Sequence, residues 1–116
     1  MSIRQIAWIL VAMTLAVEVL PSAESGDAAK GKQIYTKIGC WQCHGREGQG
    51  GGYVGPRLAP DPMPYNVLEA YIRHPSGDMP PYSKKVLSDS QVRDIYAFLK
   101  SVPKPKPSRE MNQRNH

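Results

Sequence analysis

Apolar residues recur with a helical period in three stretches of the chain, and nowhere do they alternate with polar ones as a half-buried strand requires. Between residues 26 and 38 the stripe runs through Ala28 or Ala29, Gly31, Ile34, Tyr35 and Ile38, which predicts a first helix capped by Ser25 or Asp27. Gly31 sits inside it, where glycine costs about 1 kcal/mol against alanine, and a glycine so placed permits another helix to approach closely. Residues 65–74 predict a middle helix, with Leu68, Tyr71 and Ile72 on one face and Pro75 as its stop. The stretch 88–102 predicts a last one. Ser88 is its N-cap, and Gln91 three places on completes a capping box. Val92, Ile95, Tyr96 and Leu99 share a face with Ala97 and Phe98 beside it, and Pro103 ends the helix.

The connections are as distinctive as the helices. Residues 45–55 hold six glycines in eleven positions and must form a loop. No strand precedes it and no Gly-Lys-Ser/Thr follows, so it does not read as a phosphate cradle. Pro56 to Pro64 continues as an extended, proline-rich segment, and residues 76–87 form another loop. There are no internal repeats. The pattern is that of an all-α chain with one small domain.

Both ends fall outside that domain. A short polar start carrying Arg4 is followed by the apolar run Ile6–Leu20, broken only by Glu18, and then by the small residues Ser22, Ala23 and Ser25. This order is that of a secretory signal, with exits after Ala23 or after Ser25; the alternative is an uncleaved anchor, against which Glu18 counts. Residues 1–25 are assigned to the signal, 26–103 to the domain, and 104–116, rich in Pro and Lys and then fully polar, to a flexible basic tail. The net charge of +5 suits an acidic protein or membrane partner. Nucleic acid is set aside, because the protein is expected outside the cytoplasm and its basic residues are scattered. A membrane partner follows only if the N-terminal segment stays uncleaved.

Only one motif carries specific chemistry. Cys40-Trp41-Gln42-Cys43-His44 is C-x-x-C-H, the pattern of covalent haem c attachment. On a helical turn, residues three and four apart share a face. Cys40 and Cys43 can thus bond one porphyrin edge as thioethers, while His44 offers its imidazole to the iron. A thioredoxin-like redox pair would need a preceding strand. A zinc site would need four ligands, and the chain has only these two cysteines and the separate His74 and His116. A plain disulfide at this spacing would close a loop too small to add much. A buried haem would also supply the apolar centre that a chain with one Phe and two Trp does little to fill.

The second axial ligand is chosen among methionines. Met111 lies in the tail. Met63 follows His44 by only 19 residues and is assigned to core packing. Met79 follows it by 35 residues, in a loop stiffened by Pro80-Pro81, and is the favoured ligand. His74, ending a helix before Pro75, is read as a capping or surface residue. An enzyme or gas sensor with an open sixth site is the competing reading; it would need a polar group near the iron, for which Arg57 and Arg73 are the candidates.

With C-x-x-C-H between two helices and Met-Pro-Pro-Tyr before a C-terminal one, residues 27–103 resemble the class I cytochrome c family. The resemblance implies three to five helices wrapped around one covalently bound haem c, with the first and last helices crossing. It implies that Gly31 permits the crossing and that Tyr96 is the aromatic partner of Tyr35. It implies that the Pro56 carbonyl orients His44 through a hydrogen bond, that Met79 ligates the iron opposite His44, and that Tyr82 lines the haem pocket. The function implied is one-electron transfer between redox partners in the periplasm, not enzymatic catalysis. The partners would be a donor and an acceptor with acidic docking surfaces met by Lys37, Lys84 and Lys85, or a parent dehydrogenase or oxidase complex. The glycine-rich loop and the Pro/Lys tail depart from the family's core pattern.

Overall fold

The computed structural model describes residues 25–50 and 55–105. The expected signal segment except Ser25, residues 51–54 of the glycine-rich loop, and the tail from residue 106, with Met111 and His116, lie outside the described residues. Among the described residues four helices follow in order: α1 (Ala28–Ile38), the single turn α2 (Trp41–His44), α3 (Tyr65–Arg73) and α4 (Asp89–Ser101). No strand occurs among the described residues, and the fold is all-α.

Each helix starts where its local chemistry allows. Of the two candidate caps for α1, Asp27 serves: its carboxylate accepts from the Lys30 amide at 3.0 Å. Pro64 precedes α3, and His74, exposed, is its C-cap. Ser88 and Gln91 form the reciprocal capping box of α4.

α1 and α4 make the main helix pair, and α3 packs on α4. Gly31 sets the crossing. A Cβ there would run into the Asp94 carbonyl of α4 and lie 2.8 Å from the Ile95 amide nitrogen, so only a hydrogen fits between the two backbones. The Asp27 amide donates to Asp94 Oδ1 at 2.7 Å and fastens the start of α1 to the same turn. The buried core is Tyr35 from α1, Leu68 and Ile72 from α3, Val92, Ile95, Phe98 and Leu99 from α4, and Ala59 and Leu87 from the loops.

Three expectations are corrected. The ring that meets Tyr35 is Phe98, at 5.3 Å between centroids; Tyr96 instead packs edge-on against Tyr65 at 5.5 Å. Both lie near the same helical stripe, and the crossing at Gly31 turns Phe98 inward. Tyr71 lies at the edge of the α3 stripe and is 39% exposed, with its hydroxyl 3.0 Å from the Ser76 carbonyl and from the Ser76 hydroxyl. Met63 does not fill the core either; it stands 40% exposed just before α3.

Candidate haem site

Cys40 has helical dihedrals, and its carbonyl accepts from the Cys43 and His44 amides at 3.3 and 3.0 Å. The turn therefore begins one residue before α2 and carries Cys40, Cys43 and His44 on one side. Cys43 is exposed and Cys40 half-buried, and the two form no disulfide. Burial, with a smaller contribution from Cys43, pushes the Cys40 thiol up to about 11. The environment thus favours uncharged sulfur, and a thioether is uncharged.

His44 is the one buried polar residue of the described core. Its Nδ1 lies 2.8 Å from the Pro56 carbonyl oxygen. A carbonyl only accepts, so Nδ1 carries the proton and Nε2 is left with a lone pair for a metal. The approach of Pro56 depends on its neighbour. A Cβ on Gly55 would sit 2.5 Å from the Cys43 carbonyl oxygen and 2.8 Å from His44 Nδ1. Glycine lets the chain lie flat against α2 and deliver the Pro56 carbonyl to the ring. The loop is closed further by Gly50, whose amide donates to the His44 carbonyl at 2.8 Å, and by Leu58 and Ala59, whose amides both donate to the Gly48 carbonyl. Beneath it, the Tyr35 hydroxyl donates to the Gly45 carbonyl at 2.8 Å. Burial, aided by the cysteines, holds that phenol neutral, well above its ordinary range.

Met79 and Tyr82 come from the loop between α3 and α4. Both are partly buried and pack against the core, as do Cys40 and Leu58. Burial raises the Tyr82 phenol above its ordinary range, and its amide donates to the Ile72 carbonyl at 3.0 Å. The turn therefore carries two sulfurs and an imidazole with one nitrogen fixed and the other free, and the α3–α4 loop packs the Met79 thioether against the same core. This donor set fits a covalently held, largely apolar macrocycle with iron at its centre. Among the described residues no group of three or more His, Cys, Asp or Glu is placed to hold a metal ion by itself.

Arg73, one of the two candidate distal donors, is engaged elsewhere. It is not free to serve as a distal donor. Its guanidinium donates to Glu69 Oε1 (3.0 Å), the Tyr82 carbonyl (3.0 Å), the Leu87 carbonyl (2.6 Å) and Asp89 Oδ1 (2.8 Å). An arginine ending an amphipathic helix reads as a surface residue; only its i, i+4 partner Glu69 hinted at more.

The fold and donor set define a class, the c-type cytochromes. The chain belongs to the family described as cytochrome C oxidase, cbb3-type, subunit III, whose model matches residues 26–99. Membership brings the all-α cytochrome c fold and one covalently bound haem c with its iron. The chain is 33% identical over 81 residues to the cytochrome bc1 complex cytochrome c subunit of Corynebacterium diphtheriae, covering 68% of this chain and 28% of that one. It is 35% identical over 103 residues to the thiosulfate dehydrogenase of Stutzerimonas stutzeri, covering 78% and 32%. It is 34% identical over 80 residues to the cbb3-type cytochrome c oxidase subunit CcoP of Helicobacter pylori, covering 63% and 27%. The chain thus spans about a third or less of the length of these curated relatives. No solved structure matches it closely enough to count. Among the described residues no helix is long and apolar enough to cross a membrane.

Proposed function

We propose that residues 26–103 form a one-electron carrier whose iron is held between His44 Nε2 and the Met79 sulfur, with Cys40 and Cys43 as the thioether anchors. The observation that carries this reading is the 2.8 Å contact between His44 Nδ1 and the Pro56 carbonyl, on the same turn as the two thiols. Bound haem supplies a metal that changes oxidation state by one electron. The chain's own residues keep its surroundings constant. The Pro56 carbonyl holds the His44 tautomer and ring angle, the α3–α4 loop holds Met79, and Tyr82 covers the pocket with a neutral phenol. A closed, six-coordinate iron has no room for a substrate, so the domain transfers electrons and does not catalyse. The saturation of Arg73 and the exposure of Arg57 favour this over an open sixth site, for which these two were the candidate polar donors.

Residues 1–25 direct export to the periplasm, by cleavage or as an anchor, and 104–116 form a basic tail. The partners are a redox donor and acceptor with acidic surfaces, or a larger complex in which the domain is one redox module; relatives named as subunits of bc1 and cbb3 assemblies support the second form. Lys37 and Lys85 make no ion pair among the described residues and are available for docking, whereas Lys84 is engaged by Asp89 at 3.0 Å. The test is the spectrum of the oxidised, haem-loaded protein beside Met79→Ala. A weak long-wavelength sulfur-to-iron charge-transfer band, present in the parent and lost in the variant, is the expected result. Its absence from the parent replaces this reading with that of an enzyme or sensor.

A further inference from the structure

The loop between α3 and α4 carries Met79 and has little regular structure of its own: its backbone bonds are a short turn at residues 83–87 and the Tyr82 amide on the Ile72 carbonyl at 3.0 Å. Among the described residues, the side-chain hydrogen bonds accepted by carbonyls between residues 77 and 87 come from Arg73 alone. Its guanidinium is about nine-tenths buried. One nitrogen, Nη1, reaches both Tyr82, three residues past Met79, and Leu87, itself 1% exposed. Nη2 reaches Asp89, the first residue of α4, and Nε reaches back to Glu69 one turn earlier in α3. Three chain segments therefore meet on one planar group. A lysine has three donors on a point charge and cannot reproduce four bonds spread over that fork. The two carboxylates offset the buried charge, so the cation is stable where it sits.

We infer that Arg73 is a positioning residue for the axial methionine: it clamps the downstream half of the Met79 loop to α3 and α4 and so keeps the sulfur on the iron. The inference rests on the ligand assignment proposed above. Arg73 touches neither the iron nor Met79 and acts only through the loop. Loosening the clamp raises the fraction of molecules in which the loop has swung away. An added ligand that binds only those molecules then gains apparent affinity in proportion to that fraction.

The experiment titrates imidazole into the oxidised, haem-loaded protein. It follows loss of the sulfur-to-iron band, with far-UV circular dichroism recorded on the same samples. Arg73→Lys keeps the charge between Glu69 and Asp89, and Arg73→Gln removes it. Lys84→Ala, which deletes an exposed partner of Asp89, is the control. We expect both Arg73 variants to bind imidazole about tenfold or more tightly than the parent, the scale of losing a charge-assisted hydrogen bond, with helical signal retained and the control within about twofold. Parental affinity in Arg73→Lys and Arg73→Gln overturns the clamp while leaving Met79 as ligand. Loss of helical signal in both variants also overturns it, because Arg73 would then serve the whole fold and not the loop. A parent without the band overturns the ligand assignment and this inference together, and is distinguishable because it precedes any variant.

Discussion

Replacing Gly31 by alanine tests whether the α1–α4 crossing, on which the site is built, is as close as the structure has it. The added methyl group would lie 2.8 Å from the Ile95 nitrogen and against the Asp94 carbonyl, both backbone atoms of α4 that cannot rotate away. Ordinary carbon contacts fall at about 3.5–4.0 Å, so the helices must part by about an ångström. The seam they open holds Tyr35, Val92 and Leu99, each 0% exposed. Overpacking of this kind costs about 1–3 kcal/mol, and the rigid backbone obstacle puts Gly31→Ala at the upper end. Alanine's better helix propensity returns about 1 kcal/mol. The net loss is about 2 kcal/mol, which for a domain of this size lowers Tm by about 8–16 °C. Thermal unfolding of the haem-loaded protein by far-UV circular dichroism measures it, with Lys30→Ala on the exposed face of α1 as the propensity control. A Gly31→Ala protein as stable as the parent, or more so, refutes the argument, because propensity would then outweigh contact.

Two further predictions concern the supports of the site. Tyr35→Phe removes the hydroxyl that donates to the Gly45 carbonyl, yet that carbonyl still accepts from the Gly48 amide at 3.1 Å; the loss in denaturant unfolding should therefore stay near 1 kcal/mol and not reach the cost of an orphaned buried group. The Asp89 carboxyl is held below its ordinary 3.8, first by its hydrogen bond from Lys84 and then by that from Arg73. Its folded value being the lower one, its contribution to stability is complete above the unfolded value and disappears as pH falls through the folded one. Asp89→Asn should accordingly be less stable than the parent at pH 7 and converge on it as pH falls through the folded value, as read from unfolding midpoints from neutral to acid pH; a constant gap between the two proteins would contradict the assignment.

The sequence was most legible where structure is local. The capping box at Ser88 and Gln91, the stop at Pro75 and the turn carrying Cys40, Cys43 and His44 are each decided within five residues, and the chain states them outright. The crossing at Gly31 was legible for a different reason: glycine in an otherwise good helix is unfavourable unless something approaches it. Choices between near-equivalent neighbours were harder. Tyr96 and Phe98 both lie near the buried stripe of α4, and only the angle at which α1 crosses decides which of them meets Tyr35. Arg73 was the least legible residue because its partners, Tyr82, Leu87 and Asp89, come from a loop whose path no local pattern dictates, and two of the acceptors are backbone carbonyls that any residue would supply. A buried arginine of this kind has no sequence signature of its own. What betrays it is the mismatch around it: a long, proline-stiffened loop that holds a functional side chain still needs donors from elsewhere, and the nearest cation at the end of the preceding helix is where to look.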